Sequence, residues 1–336
     1  MREAMFYERL NDNLVRCGLC RHRCQIGDGA RGICAVRENR GGTLYSLVYG
    51  KLVAENVDPI EKKPLFHVLP GSRSFSIATV GCNFRCRHCQ NYSISQVPPK
   101  APILGEDHSP QSVIRKAQAT GCRSIAYTYT EPTIFFEFAY DTARLAKEAE
   151  LLNTFVTNGY ITKKALTTAA PYLDAANIDL KGFSEGFYRD YIHARLSEVL
   201  DSIVEHRKLG IWLELTTLVI PGLNDSDEEL QGIASFIAGN LGVDTPWHVT
   251  QFYPTYQLTD RPRTPVATLR RARDIGKAAG LRYVYEGNVP GEGGENTFCP
   301  SCAALLIGRH GYLIERNRIE NGACPDCGAV IAGIGM

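Results

Sequence analysis

Near the middle of this 336-residue chain, Cys82, Cys86 and Cys89 stand in the run Gly81-Cys82-Asn83-Phe84-Arg85-Cys86-Arg87-His88-Cys89. Thiolates are soft metal ligands, and spacings of three and two intervening residues let a single loop wrap a metal centre. A structural zinc site closes with four ligands, and an ordinary 4Fe-4S cluster takes four cysteines. A loop with three thiolates therefore leaves a coordination position open for a substrate or cofactor. The competing reading is a zinc loop completed by His88 or by a distant residue.

Two further cysteine groups flank this loop. Cys299-Pro300-Ser301-Cys302 and Cys324-Pro325-Asp326-Cys327-Gly328 are two knuckles 21 residues apart, the spacing of a zinc ribbon or a rubredoxin-like site. Structural zinc is favoured there over a single iron. Near the start, Cys17, Cys20, Cys24 and Cys34 are less diagnostic: zinc, an auxiliary iron-sulfur cluster, or ligands divided between sites all remain open. Arg16, Arg21, His22 and Arg23 make those surroundings positive. Cys122 lies outside the groups and is expected to be simply buried.

Clustered thiols of this kind belong to a reducing compartment. The N-terminal Met1-Arg2-Glu3-Ala4-Met5 lacks the apolar stretch of a signal peptide, and no run of about 18 apolar residues could span a bilayer. A cytoplasmic protein without a membrane partner is expected. The formal net charge of +1 provides no bulk field toward nucleic acid or anionic lipid. That opposes a non-enzymatic zinc-ribbon protein that binds nucleic acid, the alternative from another functional class.

The elements that must position the central cysteines alternate between short β-branched runs and amphipathic segments, the pattern of βα units. Strands are predicted at Phe75–Val80, Ser124–Tyr129, Asn153–Thr157, Ala175–Leu180, Trp212–Val219 and His248–Phe252, with a short last one at Tyr283–Tyr285. Helices are predicted at Gln111–Thr120, Ile134–Glu150, Glu198–Leu209, Asp227–Leu241 and Ala267–Ala279. Ser109-Pro110 and the run Asn224 to Glu229 supply caps. About six units fall short of a closed eight-fold barrel, so the fold class is α/β, a partial (β/α)6 TIM-like barrel with one open side. It is expected to span residues 71–290, between a cysteine-rich extension at 1–70 and a zinc-ribbon or rubredoxin-like module at 291–336. Parallel barrels bind ligands where their strands end, and polar residues fill those places here. They are Thr130 and Glu131 after the second strand, Asn158 after the third, and Asp179 and Lys181 at the fourth.

The central loop, directly after the first barrel strand, matches the Cys-x3-Cys-x2-Cys signature of radical S-adenosylmethionine enzymes. The resemblance implies that Cys82, Cys86 and Cys89 hold a 4Fe-4S cluster whose fourth iron chelates S-adenosylmethionine. An electron then cleaves the cofactor to a 5′-deoxyadenosyl radical that abstracts hydrogen from a substrate. His88 fills the place that lies beside the adenine. Thr128-Tyr129-Thr130-Glu131-Pro132 stands where many members have Gly-Gly-Glu-Pro, so Thr130 and Glu131 are the nearest matches for holding the amino group. Asp179-Leu180-Lys181 is similar to the glycyl-radical-enzyme activases, pyruvate formate-lyase activase among them, where the lysine reaches the cofactor carboxylate. Together with the Cys-Gly-Leu-Cys loop, Asn56 to Leu65 and the terminal knuckles, the whole most resembles the AmmeMemoRadiSam-system radical SAM enzymes. That resemblance implies Memo and Ammecr proteins and a reductant protein as partners. It names no substrate, small molecule or protein, and a glycyl-radical-enzyme activase remains the alternative within the class.

Overall fold

The computed structural model describes residues 1–336. Its centre is an eight-stranded sheet, which we number in chain order: β1 (Ala54–Pro59), β2 (Arg73–Ala78), β3 (Ser124–Tyr127), β4 (Leu152–Thr157), β5 (Ala175–Asp179), β6 (Trp212–Val219), β7 (Trp247–Gln251) and β8 (Val284–Gly287). Spatial order follows chain order. From β2 onward every pairing is parallel, whereas β1 runs antiparallel to β2 with Pro59 opposite Arg73. Parallel neighbours need long crossovers, and helices supply them: α1 (Pro110–Ala119), α2 (Phe136–Glu148), α3 (Lys163–Ala169), α4 (Leu196–Lys208), α5 (Asp227–Asn240) and α6 (Val266–Ala278). β1 and β8 lie at the two ends of the sheet and do not pair with each other, so the expected partial barrel is present.

Local chemistry explains where the helices start. Ser109 Oγ accepts from Ser112 N at 3.1 Å ahead of Pro110, and Ser226 Oγ accepts from Glu229 N at 3.2 Å with Asp227, Glu228 and Glu229 in the first turn. Within the predicted acidic run the cap is thus Ser226. Asn224 points elsewhere, accepting from Ile220 N at 2.6 Å and donating to the carbonyls of Lys181 and Leu218. α3 was not anticipated: it has seven residues behind a Thr162 cap.

Between β1 and β2 the chain dives into the barrel rather than crossing its surface. Ile60, Leu65, Phe66, His67 and Val68 are buried there. Two strand residues hold this plug. Glu214 of β6 accepts from the backbone amides of Phe66 (3.0 Å) and His67 (2.8 Å), and Asn177 of β5 donates to the Pro64 carbonyl at 2.7 Å. Loop backbone can be buried here because its polar groups find strand side chains as partners.

The His67 ring is wholly enclosed. A neutral imidazole satisfies both neighbours, donating from Nδ1 to Ala332 O (2.6 Å) and accepting at Nε2 from Tyr285 OH (2.7 Å). Burial pushes its pKa down to about 4; Glu214 and the Ala332 carbonyl pull the other way, while Arg309 and His248 reinforce the burial. An unfolded histidine titrates near 6.5, so between there and about 4 the unfolded chain binds a proton that the native chain refuses. Stability is therefore full above pH 6.5 and falls on acidification, by about 3 kcal/mol at the bottom of the window. Denaturant unfolding from pH 7 to 4 should show this slope, reduced in His67→Gln. An unchanged slope in that variant would contradict the assignment.

The segment before β1 forms two small three-stranded sheets and docks on α2. Arg37 donates to both carboxylate oxygens of Glu137 (3.0 and 2.6 Å), both side chains being buried, and Phe6 packs edge-on against Phe136. At the other end of the chain, β9 (Thr297–Phe298), β10 (Leu305–His310) and β11 (Leu313–Asn317) form an antiparallel unit. Its apolar face joins Phe66 of the plug and Tyr283 and Tyr285 at β8 in one cluster. The chain then closes on the plug: Ile334 N donates to His67 O, and Leu69 N to Ile334 O, both at 2.8 Å.

Candidate active site

β2 delivers the three-cysteine loop at its C-terminal end. Gly81 makes the turn with φ of +99°, and a Cβ there would meet Val36 Cγ1 at 2.7 Å and Cys34 O at 2.8 Å. Only glycine permits both the backbone angle and the approach of the N-terminal segment. The loop is pinned from that side. His22 Nε2 donates to Asn83 O at 2.8 Å, and Arg85 donates to the carbonyls of Ile33, Cys82 and Phe84. Burial pushes the Cys86 thiol up to about 12, with Lys181 opposing, and burial also raises Cys82. These sulfurs ionise when a bound cation compensates them.

Cys82, Cys86 and Cys89 line a cavity of about 490 Å³ at the C-terminal ends of the strands. Thr130, Glu131, Asn158, Asp179 and Lys181 line the same cavity, so all eight residues singled out in the centre of the sequence converge. Thr130 Oγ1 donates to Thr79 O at 2.9 Å. Glu131 caps the short turn Pro132–Phe135 and accepts from Thr133 N (3.0 Å), Thr133 Oγ1 (2.6 Å), Thr157 Oγ1 (2.7 Å) and Asn158 N (2.8 Å). A carboxylate has about four lone-pair directions, so Glu131 fixes the β3 and β4 ends to each other. Burial nevertheless outweighs these donors and raises its pKa.

Asn158 passes that order to the cysteine loop. Its Nδ2 donates to Asn83 Oδ1 at 2.7 Å and lies 3.8 Å from Cys82 Sγ, while its Oδ1 accepts from Tyr160 N. Lys181 Nζ pairs with Asp179 at 2.8 Å, and Asp179 keeps it protonated against the cost of burial. Asn224 braces the Lys181 carbonyl at 2.7 Å, a supporting role that its place in a capping run concealed. His88 is buried against Phe187 with rings nearly parallel, and neither ring nitrogen has a partner. Asn83 Nδ2 is likewise buried and unpartnered. Groups of this kind are costly unless a ligand meets them.

A profile described as the radical SAM superfamily matches residues 76–236, the stretch from β2 to α5 that carries the cysteine loop. An uncharacterized protein of Methanocaldococcus jannaschii is 48% identical over 333 residues, covering 98% of this chain and 99% of its own. The chain belongs to the radical SAM superfamily. It is an enzyme of that family, and membership implies a 4Fe-4S cluster and S-adenosylmethionine as its cofactors. A second M. jannaschii protein, named as a glycyl-radical enzyme activating enzyme, is 26% identical over 192 residues, 54% of this chain and 68% of its own. Among solved structures, a radical SAM methyltransferase from Sphaerobacter thermophilus shares the fold at 16% identity and a TM-score of 0.51, covering 65% of this chain and 67% of its own.

The residues of this radical SAM enzyme fit both cofactors: three thiols face the cavity, and the unpartnered nitrogens of His88 and Asn83 belong to residues of the same loop. The terminal quartets differ from that loop and from each other. Cys299, Cys302, Cys324 and Cys327 have all four sulfurs within 4.8 Å of one another, with Cys299 to Cys327 at 3.6 Å and Cys302 to Cys324 at 3.7 Å. A metal–sulfur bond of about 2.3 Å gives a tetrahedral edge of about 3.8 Å, so this quartet is shaped for one tetrahedral ion. Cys302→Ser is expected to remove about one metal equivalent and lower the melting temperature, because the quartet caps the cluster that clamps the plug. Elemental analysis and calorimetry check this; unchanged metal content would contradict it. Cys17, Cys20, Cys24 and Cys34 line a second, small buried space directly behind Asn83. Cys122 is buried beside Thr120, as expected for a structural thiol.

Proposed function

We propose that this enzyme reductively cleaves S-adenosylmethionine at a 4Fe-4S cluster held by Cys82, Cys86 and Cys89, and abstracts hydrogen from a substrate at the same cavity. The carrying observation is the convergence of those cysteines with Thr130, Asn158, Asp179 and Lys181 in one cavity at the strand ends. When bound, the cluster supplies the electron that splits S-adenosylmethionine into methionine and the 5′-deoxyadenosyl radical.

The chain's own groups then have distinct tasks. Lys181, held protonated by Asp179, offers a cation to the cofactor carboxylate, and Thr130 offers an oxygen to its amino group. Glu131 works by holding Thr157 and Asn158 in place, which in turn fixes Asn83 in the loop. His88 provides a neutral ring at the adenine position, since burial pushes it down to about 3.

In the C-terminal quartet we propose zinc, on the tetrahedral spacing of its sulfurs. At Cys17, Cys20, Cys24 and Cys34 we propose a metal site, either zinc or an iron-sulfur cluster. A reductant protein must supply the electron, and resemblance to the AmmeMemoRadiSam system supports Memo and Ammecr proteins as partners. The 26% identical activating-enzyme relative supports glycyl-radical-enzyme activation as a second reading. Anaerobic incubation of the reconstituted enzyme with dithionite and S-adenosylmethionine should yield 5′-deoxyadenosine. Its absence from fully iron-loaded protein would overturn the proposal, and a stable glycyl radical on a protein partner would favour the second reading.

A further inference from the structure

We infer that Lys62 and Lys63, on the wall of the active-site cavity, form a subsite for an anionic group of the substrate, a carboxylate or a phosphate. Both line the cavity that holds Cys82, Cys86 and Cys89. They enter it from the plug, just ahead of Pro64, whose carbonyl is fixed by Asn177.

The charges around this pair do not balance. Lys62 Nζ reaches Asp58 Oδ1 at 2.8 Å and Lys63 Nζ reaches Oδ2 of the same carboxylate at 2.6 Å. Tyr129 OH also donates to Asp58. Tyr129 brings no charge, since burial, with Asp58 adding to it, pushes the phenol up to about 12. One carboxylate therefore faces two ammonium groups, and a net positive charge is left over.

Structural need accounts for one lysine only. Lys63 is fully buried, with its Nζ 4.4 Å from the centre of the Tyr129 ring, and Asp58 suffices to compensate it. A second cation on the same carboxylate repels the first. Burial and then Lys62 act against the Lys63 charge, and its pKa is pushed down to about 8 despite Asp58. The cost is relieved when an anion sits between or beside the two amines. Lys62, with 43% of its side chain exposed, is free to turn toward one.

Nearby charges do not cancel the excess. Glu61, the adjacent acid, turns away to accept from Gly71 N, with Arg309 3.8 Å from it. Asp179 is committed to Lys181, and the Glu131 oxygens are taken by four donors. Tyr129 is what couples this subsite to the proposed cofactor side. Its φ of +59° folds the ring back over Lys63 while its carbonyl accepts from Asn91 Nδ2 just after the cysteine loop. Of the remaining wall, Thr216, Thr250, Asn288 and Tyr312 present hydroxyl and amide groups, with Val156 and Leu218 as aliphatic neighbours. Such a wall suits a small polar anion more than an apolar peptide loop.

That the anion belongs to the substrate rests on the proposed radical SAM reaction; the subsite itself is tested independently. The reconstituted full-length enzyme would be titrated calorimetrically with inorganic phosphate and with citrate, choline chloride serving as a cation control, with and without S-adenosylmethionine. Binding that weakens with salt and falls at least tenfold in Lys62→Ala is expected. Lys63→Met should do the same, and Lys62→Ala guards against misfolding because that side chain is half-exposed. Equal anion binding in wild type and Lys62→Ala, or none in either, overturns the inference. Lys62-dependent anion binding without 5′-deoxyadenosine formation would instead sink the reaction and support the subsite.

Discussion

Replacing Cys86 with alanine is expected to abolish the central cluster and 5′-deoxyadenosine formation while leaving the chain folded. Loss of an outer-shell partner at a metal site costs about 10- to 100-fold, so removing a ligand from a three-cysteine loop should exceed that. Cys86 is buried against the wall of the cavity, with no neighbouring cysteine outside the loop to replace it. Alanine fills most of its apolar surroundings, and the carbonyl of residue 86 still accepts from Cys89 N. The melting temperature of the metal-free protein should therefore change little. Iron content, the visible absorption of the reconstituted protein and nucleoside chromatography read the result. Retained cleavage at more than a tenth of the wild-type rate would remove Cys86 from the ligand set.

The second large effect concerns the link between the N-terminal segment and the barrel. Arg37→Ala strips both charge-assisted bonds from Glu137, which is 1% exposed and keeps only the Met5 amide as a partner. Breaking one side of a buried ion pair leaves an uncompensated charge, and about 3–5 kcal/mol of stability should be lost. Arg37→Met with Glu137→Leu should recover most of it, because paired apolar replacements avoid that charge. Urea unfolding measures both; a loss below about 1 kcal/mol in the single variant would contradict the assignment. The consequence reaches the active site, since the segment bearing Cys17 to Cys34 also holds Asn83 and Arg85 of the cysteine loop.

The barrel was legible because parallel strands buried on both faces read as β-branched runs. β6 matches its predicted span from Trp212 to Val219, bracketed by Gly210 and Pro221. β2 begins earlier than predicted, at Arg73 rather than Phe75, because pairing with β1 draws the buried Ser74 into the ladder. β1 itself carries Glu55, Asn56, Asp58 and Pro59, and such an edge strand has no apolar pattern to reveal it. The site was legible at its strand ends, since architecture alone brings Thr130, Asn158 and Lys181 to one rim. Interactions between distant segments were not. Nothing in the spacing of Lys62, Lys63 and Tyr129 from Asp58 tells that its carboxylate will collect all three, and nothing in Glu131 tells that its oxygens serve Thr157 and Asn158. The plug was hidden for the same reason: Glu61-Lys62-Lys63-Pro64 reads as a surface loop, yet Glu214 and Asn177 provide the partners that let it go inside.

The central claim is that an open iron held by Cys82, Cys86 and Cys89 meets S-adenosylmethionine in this cavity. It is tested most directly by the electron paramagnetic resonance spectrum of the anaerobically reconstituted, reduced enzyme before and after the cofactor is added. A 4Fe-4S signal that changes on addition, and that is missing in Cys86→Ala, is the expected result. A signal indifferent to S-adenosylmethionine, or one that survives the Cys86 substitution unaltered, would contradict it.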